Sequence, residues 1–214
     1  MNITRNQVSM LLDKVGCKTI VSANSIKVEE MPYENYHELR KENGKWLYGL
    51  VYAERTNSPY LDVEKEFVSE NEATTYFLLD MLSYHYVNKK ITSFEKQHPE
   101  FERGTSSFTV QELYKALQLA GIPKDTFCVD GFPKHTCIHL KKVNDAEYVL
   151  AILSNGKEVY STIPLDLEWA LSLAFLRTFL LHLFQTEVPK LLQSEGITET
   201  FTDKEMAIFS FGVK

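Results

Sequence analysis

The chain has 214 residues, of which 44% are hydrophobic and 12% aromatic, enough for one large domain or two small ones. Its 29 acidic and 23 basic residues give a net charge of -6, which disfavours DNA, RNA or anionic lipid as a ligand and favours a basic partner. The cysteines, Cys17, Cys128 and Cys137, lack the spacing of a disulfide framework and fit a reducing compartment.

Apolar stretches in the sequence predict a buried helix rather than a membrane span. The first residues, MNITRNQVSMLLDKVG, interrupt their apolar positions with polar ones, so we do not expect a cleaved signal peptide. The longest apolar run, residues 170–184, is shorter than the ~20 residues that a span needs. This run also contains Arg177 and His182. We therefore expect a cytoplasmic protein.

Two capped helices bound the first half of the chain. Thr4, followed three residues later by Gln, forms a capping box before a helix that ends at Gly16. Ser69, followed three residues later by Glu, predicts a second helix over residues 70–86. Between these helices, β-branched and aromatic residues predict three strands, at 36–41, 46–52 and 61–68. Asn43-Gly44 and Asn57-Ser58-Pro59 separate them as turns.

The second half repeats this order of elements. Thr109 caps a helix that ends at Gly121, 105 residues after the corresponding positions of the first half. Three strands and a long helix follow, at 136–142, 148–153, 159–163 and 166–184. Asn144-Asp145 and Asn155-Gly156 mark the turns. Because the markers recur in one order, we interpret the halves as an internal duplication.

The sequence thus predicts an α+β fold of two tandem αβββα repeats, with helices packed on antiparallel meander sheets. The predicted divisions are a first repeat at 1–87, a linker at 88–107 with room for one short helix, and a second repeat with a C-terminal extension at 108–214. In that extension, Thr202 with Glu205 predicts a further capped helix.

His135, Cys137 and His139 occupy alternate positions of a predicted strand, so they share one face. With Cys128 they number four zinc-type ligands, but three ligands two apart on one strand rarely close a tetrahedral site. Cys137 with either histidine is also a candidate nucleophile and base, although no oxyanion site is recognisable. We favour the alternative in which these side chains cover the sheet, and we predict no metal or cofactor.

Asp62, Glu64 and Glu66 alternate along the strand at 61–68, and Glu70 follows at the start of the next helix. Alternation puts the first three carboxylates on one face of that strand. A solvated face and a partner-binding surface both fit this pattern. We take these four residues as the candidate partner-binding site.

Residues 52–55, YAER, and 67–77, FVSENEATTYF, resemble the pattern YxERG followed by FxSExEAxxYF of small bacterial immunity proteins. Those proteins belong to polymorphic-toxin and contact-dependent inhibition systems. The likeness covers about 30 of 214 residues, and Thr56 replaces the glycine. The resemblance implies a cytoplasmic monomer or homodimer that binds and blocks one cognate toxin. A basic nuclease domain is the partner that the acidic residues fit.

Two other classes stay open. A self-associating structural or regulatory protein would show an exposed apolar patch. A small hydrolase or metal-dependent enzyme would bring His135, Cys137 and His139 together in a cleft. The sequence contains no phosphate-binding loop and no HExxH or GxSxG motif.

Overall fold

The computed structural model describes residues 2–29, 34–54, 58–131 and 133–213. Arg55, Thr56 and Asn57, which belong to the sequence likeness and to a predicted turn, lie outside these residues. The chain divides into two units. The first comprises Met1–His85 and Lys190–Phe201, and the second comprises Tyr86–Pro189 and Thr202–Val213.

The first unit contains a five-stranded antiparallel sheet between two helices. Helix α1 (Arg5–Val15) precedes the sheet and α2 (Glu70–Tyr86) follows it. The strands lie side by side in chain order: β1 (Thr19–Val21), β2 (Ser25–Val28), β3 (Tyr36–Glu42), β4 (Lys45–Tyr52) and β5 (Tyr60–Phe67). Helix α2 reaches the sheet through Tyr76 and Phe77, whose rings lie 5.2 and 6.0 Å from that of Tyr48 on β4.

The second unit contains a four-stranded sheet and most of the helices. Its strands are ordered β6 (Phe127–Val129), β7 (Cys137–Lys142), β8 (Tyr148–Ser154) and β9 (Lys157–Ser161). The helices are α3 (Thr92–Gln97), α4 (Val110–Leu119), α5 (Leu167–Thr186), α6 (Val188–Gln193), which crosses the boundary between units, and α7 (Asp203–Phe211). Helix α5 packs against β7, β8 and α7. A π-helical turn, Val87–Ile91, precedes α3.

Local sequence signals define the ends of several elements. Thr4 and Thr202 form complete capping boxes, as predicted. Thr109 accepts from the N–H of Glu112, but the Glu112 carboxylate lies 2.6 Å from Lys115 Nζ instead of closing the box. The hairpin prediction at Asn43-Gly44 is confirmed by φ values of +49° and +80°, and Asn155-Gly156 has nearly the same pair.

The α+β class is confirmed, and the six predicted strands pair as antiparallel meanders, but the second sheet contains an additional strand that departs from this pattern. Strand β6 runs parallel to β7, and only the β7–β8 and β8–β9 pairs of that sheet are antiparallel. The short strands β1, β2 and β6 were not predicted. The segment predicted as a linker, 88–107, contains α3, and Arg103 within it donates to the Ser172 carbonyl at 3.3 Å.

One helical stretch in the described part of the chain, Leu167–Gln193, is long and apolar enough by composition to cross a membrane. Of its most apolar window, 56% is buried inside the fold. Buried side chains of α5 include Phe175, Leu180 and Leu181. Their burial is that of a core helix.

Candidate functional site

The predicted partner-binding residues lie on β5 and at the start of α2. Among the described strands, β5 pairs only with β4, so it forms an edge of the first sheet. It is eight residues long. Tyr60 is 58% exposed, and Asp62, Val63 and Glu66 are exposed as well. This strand therefore presents both acidic and apolar side chains to solvent.

A β-bulge changes the arrangement of the acidic residues. The register between β4 and β5 shifts by one residue at Glu64, which has no residue opposite it. Asp62 consequently lies opposite Leu50, whereas Glu66 lies opposite Leu47. Directly paired residues share a face, and residues three apart on a strand lie on opposite faces. The prediction that the three carboxylates share one face is therefore wrong, because the side chains of Asp62 and Glu66 lie on opposite faces of the sheet.

Glu66 and Glu70, which belong to the predicted partner-binding residues, form ion pairs. Glu66 lies 2.7 Å from Lys45 Nζ across the hairpin, and Glu70 lies 3.0 Å from Arg5 Nε. The Arg5 guanidinium also lies 5.0 Å from the centre of the Trp46 ring. Both carboxylates stay about half exposed, so each pair contributes only ~0.2–1 kcal/mol to stability. The pairs position these side chains without removing them from solvent.

Aromatic side chains of β3, β4 and α2 pack next to the edge strand. The Tyr48 hydroxyl donates to the Asp80 carboxylate, and the His37 ring stacks on Tyr48 at 5.8 Å. Lys65 of β5 places its ammonium 4.5 Å from the centre of the Tyr76 ring. Burial, followed by the Asp80 charge, raises the pKa of Tyr48 and of Tyr76 above the ordinary value. Both phenols are therefore neutral at physiological pH.

The predicted His and Cys cluster does not form a cleft. Cys137 is 0% and His139 4% exposed. They pair with Leu153 and Ala151 of β8, so all four side chains share one face of the sheet. His135 precedes the strand and is exposed, with Nε2 placed 2.8 Å from the Asp125 carbonyl oxygen. Within the described residues, no group of three or more His, Cys, Asp or Glu side chains forms a metal site.

His139 is a buried imidazole beside a small pocket. Neither ring nitrogen forms a hydrogen bond of regular geometry within the described part of the chain. Burial lowers the pKa of His139, while the nearby backbone of Asp130 favours the charged form without reaching bonding geometry. The ring lines a pocket of ≈340 Å³ together with Pro133 and Glu158. The neutral form of the imidazole is thus favoured.

Two thiols lie in contact on neighbouring strands. The Sγ atoms of Cys128, on β6, and Cys137, on β7, are 3.0 Å apart. Their hydrogen bond lowers the pKa of Cys128, and the same bond together with burial raises the pKa of Cys137. The sequence placed Cys128 near this strand but gave no sign of the parallel pairing that brings the sulfurs together.

Sequence patterns missed an exposed apolar group in the second unit. Ile163 is 77% and Trp169 69% exposed, and Leu167 lies between them in sequence. Asp166 caps α5 by accepting from the Trp169 N–H at 2.9 Å. In sequence, the acidic residues Asp166 and Glu168 lie between Ile163 and Trp169, on either side of Leu167. With the cap placed at Asp166, a helical wheel puts Trp169 outside the buried stripe, and that signal was available in the sequence.

No protein-family model, curated protein or solved structure matches the chain. The likeness to immunity proteins is carried by residues 52–55 and 67–77 alone. Residue 55 lies outside the described part, and residues 67–77 cover the end of β5 and the start of α2. There Ser69 Oγ accepts from the Glu72 N–H at 3.5 Å, a long bond for a helix cap.

Proposed function

We propose that this protein is an immunity-type inhibitor, which binds one cognate toxin domain and blocks its active site or substrate groove. The observation that carries the proposal is the exposed edge strand β5, with its mixture of acidic and apolar side chains. In this proposal the protein acts in the cytoplasm and requires no cofactor, nucleic acid or membrane.

The dimensions and shape of β5 fit a groove. Its eight residues span roughly 26 Å at about 3.3 Å each. A groove has two walls, so a strand inserted into it is contacted on both faces. The bulge at Glu64 provides for this by placing Asp62 and Glu66 on opposite faces. Charged side chains and a bulge also discourage backbone pairing with another sheet, so contact through side chains is favoured.

The charges supply a mechanism if the toxin is a nuclease. Asp62, Glu64, Glu66 and Glu70 take the positions of nucleic-acid phosphates in a basic groove, and Tyr60 supplies an aromatic anchor. The net charge of -6 attracts a basic domain over distances of about a Debye length, ~8–10 Å at physiological salt. Association is then accelerated by electrostatic steering.

Co-expression tests the proposal directly. The protein is expressed together with the product of the neighbouring upstream gene in a host that this product inhibits. Rescue of growth and co-purification of a complex are expected. Absence of both would contradict the proposal.

Charge reversal tests which residues form the interface. Asp62→Lys combined with Glu66→Lys should slow association with the toxin by tenfold or more at low salt. It should also flatten the dependence of the association rate on ionic strength, because the steering charges are gone. The measurement is stopped-flow association across a salt series. Glu102→Lys with Glu168→Lys is the matched control, since both carboxylates are exposed outside the first unit. An equal effect in the control would assign steering to net charge rather than to β5.

Two alternatives are separated by specific observations. The enzyme alternative has less support, because His135, Cys137 and His139 do not converge on one cleft. Self-association is favoured by the exposed Ile163 and Trp169. Light scattering over a concentration range distinguishes self-association from toxin inhibition. A dimer that the Trp169→Ala substitution converts into monomers would support self-association. A monomer at all concentrations would leave the inhibitor proposal standing.

We also propose that the two halves are tandem αβββα repeats produced by duplication. In each half a Thr-capped helix is followed by three consecutive antiparallel strands and a long helix. The first half adds β1 and β2 before those three strands, and the second half adds β6. Both halves carry a register shift between the last two of these strands, at Tyr48/Gly49 and at Ile152/Leu153. Shared irregularities of this kind support common descent, since bulges are retained within families.

A further inference from the structure

Cys128 and Cys137 are brought together by the parallel pairing of β6 with β7. Cys128 lies directly opposite His139, and Cys137 stands two residues before His139 on the same face. Their Sγ atoms are 3.0 Å apart, so a shift of about 1 Å reaches the ~2.05 Å length of a disulfide. Ala151 and Leu153 pack around the pair and keep its surroundings apolar.

The two thiols differ in access to solvent. Cys137 is completely buried, whereas Cys128 is partly exposed on a strand at the edge of the sheet. A small oxidant therefore reaches Cys128 first. Cys137 Sγ lies against Cys128 Sγ, the sulfur that reacts first, which is the position of a resolving cysteine.

We propose that Cys128 and Cys137 are a thiol oxidation site, at which low-molecular-weight disulfides such as oxidised glutathione convert the pair reversibly into an intramolecular disulfide. The Cys128 thiolate attacks one sulfur of the small disulfide, and one small thiolate leaves. Cys137 then loses its proton and attacks Cys128 Sγ, which breaks the mixed disulfide and releases the second small thiolate. Two protein thiols are oxidised and one small disulfide is reduced to two thiols.

The bond would fasten a loop that borders the His139 pocket. Residues 129–136 lie between the two cysteines, and within them Asp130 and Gly131 have φ values of +52° and +78°. Pro133, in the same segment, lines the pocket of ≈340 Å³. Closing this loop covalently restricts the unfolded chain, so the oxidised protein should have the higher Tm.

The test uses the full chain equilibrated with oxidised and reduced glutathione in graded ratios. The samples are quenched in acid, then denatured and alkylated at neutral pH, and mapped by peptide mass spectrometry. We expect Cys128 and Cys137 to become resistant to alkylation together, as one linked peptide pair. This should occur at a lower proportion of oxidised glutathione than Cys17 requires, because the second step is intramolecular. Cys17→Ser is the matched variant and should leave the oxidation of the pair unchanged.

Replacement of the resolving cysteine gives the second arm. In Cys137→Ser the mixed disulfide with glutathione should accumulate on Cys128, and in Cys128→Ser the buried Cys137 should stay reduced. Cys137→Ala replaces the serine variant if that variant does not fold. The proposal is overturned if Cys128 ends as a glutathione adduct in the unaltered chain, or if the pair stays reduced at ratios that oxidise Cys17.

Discussion

Tyr48 brings a polar group into the core of the first unit and provides it with a partner. Its side chain is fully buried, and its hydroxyl donates to Asp80. A buried hydroxyl without a partner costs about 1–3 kcal/mol, so the position of Asp80 on α2 is part of the packing between helix and sheet. The pKa of Tyr48 is raised by this burial, and in the second unit burial raises the pKa of Tyr86 to about 12.

These phenols predict a loss of stability at alkaline pH. Unfolded tyrosines ionise at a pKa of ~10, while Tyr48, Tyr76 and Tyr86 ionise at higher pH in the folded chain. Above that pH the unfolded state binds fewer protons than the folded state. The contribution of these phenols to the free energy of unfolding is therefore fully present below pH ~10 and should be lost progressively as the pH rises above that value.

Tyr48→Phe separates the contribution of one phenol. At about pH 8 the variant should be less stable by ~1–3 kcal/mol, because Asp80 loses its donor. The difference from the unaltered protein should shrink at about pH 11, since phenylalanine has no proton to lose. Urea unfolding at both pH values measures it. Tyr60→Phe, which changes an exposed ring, is the control. If the free energy of unfolding depends on pH in the same way for Tyr48→Phe and the unaltered protein, the prediction is contradicted.

At the scale of elements, the bulge between β4 and β5 depends on a glycine in the neighbouring strand. A Cβ atom at position 49 would lie 1.9 Å from the Asp62 carbonyl oxygen and 3.1 Å from Val63 Cα. The backbone of β5 thus passes directly over position 49. Gly49 is needed for this close approach, which determines the faces on which Asp62 and Glu66 lie.

Gly49→Ala should therefore destabilise the first unit by roughly 3 kcal/mol, because the added methyl group meets backbone that cannot yield without breaking the pairing. Gly44→Ala is the matched control in the same hairpin. Its φ is +80°, and an added Cβ would meet no heavy atom within 4 Å beyond its chain neighbours, so only the strained conformation contributes, roughly 1–2 kcal/mol. Denaturant unfolding compares the two variants. Equal costs would show that β5 relaxes away from position 49.

Elements with their own local signals were predictable from the sequence. The capping boxes at Thr4 and Thr202 and the turn at Asn43-Gly44 each satisfy hydrogen bonds or φ angles within a few residues. Strands β1, β2 and β6 have only three or four residues, too few for alternation to distinguish them from a loop. Parallel pairing of β6 with β7 leaves no hairpin signal.

The candidate site was only partly predictable, because neighbouring strands determine its geometry. Asp62, Glu64 and Glu66 alternate without a break in sequence, so the bulge cannot be inferred from β5 itself. The constraint comes from Gly49 on another strand. On β7 the alternation correctly put Cys137 and His139 on one face, but the burial of that face depends on packing that the pattern does not encode.

At the scale of the whole molecule, the first unit is completed by a segment distant in sequence. Lys190–Phe201 belongs to the first unit. Lys14 Nζ donates to the Ser194 carbonyl at 3.1 Å and pairs with Glu195, and the Asn2 N–H donates to Glu199. Contacts of this kind bind the start of the chain to a segment almost 200 residues later, since Asn2 and Glu199 are 197 positions apart. The first unit can therefore complete its native contacts only after residues 190–201 have been synthesised.

Native-state hydrogen exchange tests this division. The N–H groups of Gly196 and Ile197 bond to Gln193 and Leu192 carbonyls, and we expect their exchange in mild urea to follow the amides of β3 and β4. Gly49→Ala should accelerate exchange at all of these and leave the amides in the middle of α5 unchanged. Ile152→Ala, at a buried position of β8, is the matched variant and should do the reverse. If either substitution accelerates exchange in both units by the same factor, the two units unfold together. The assignment of residues 190–201 to the first unit alone would then be contradicted.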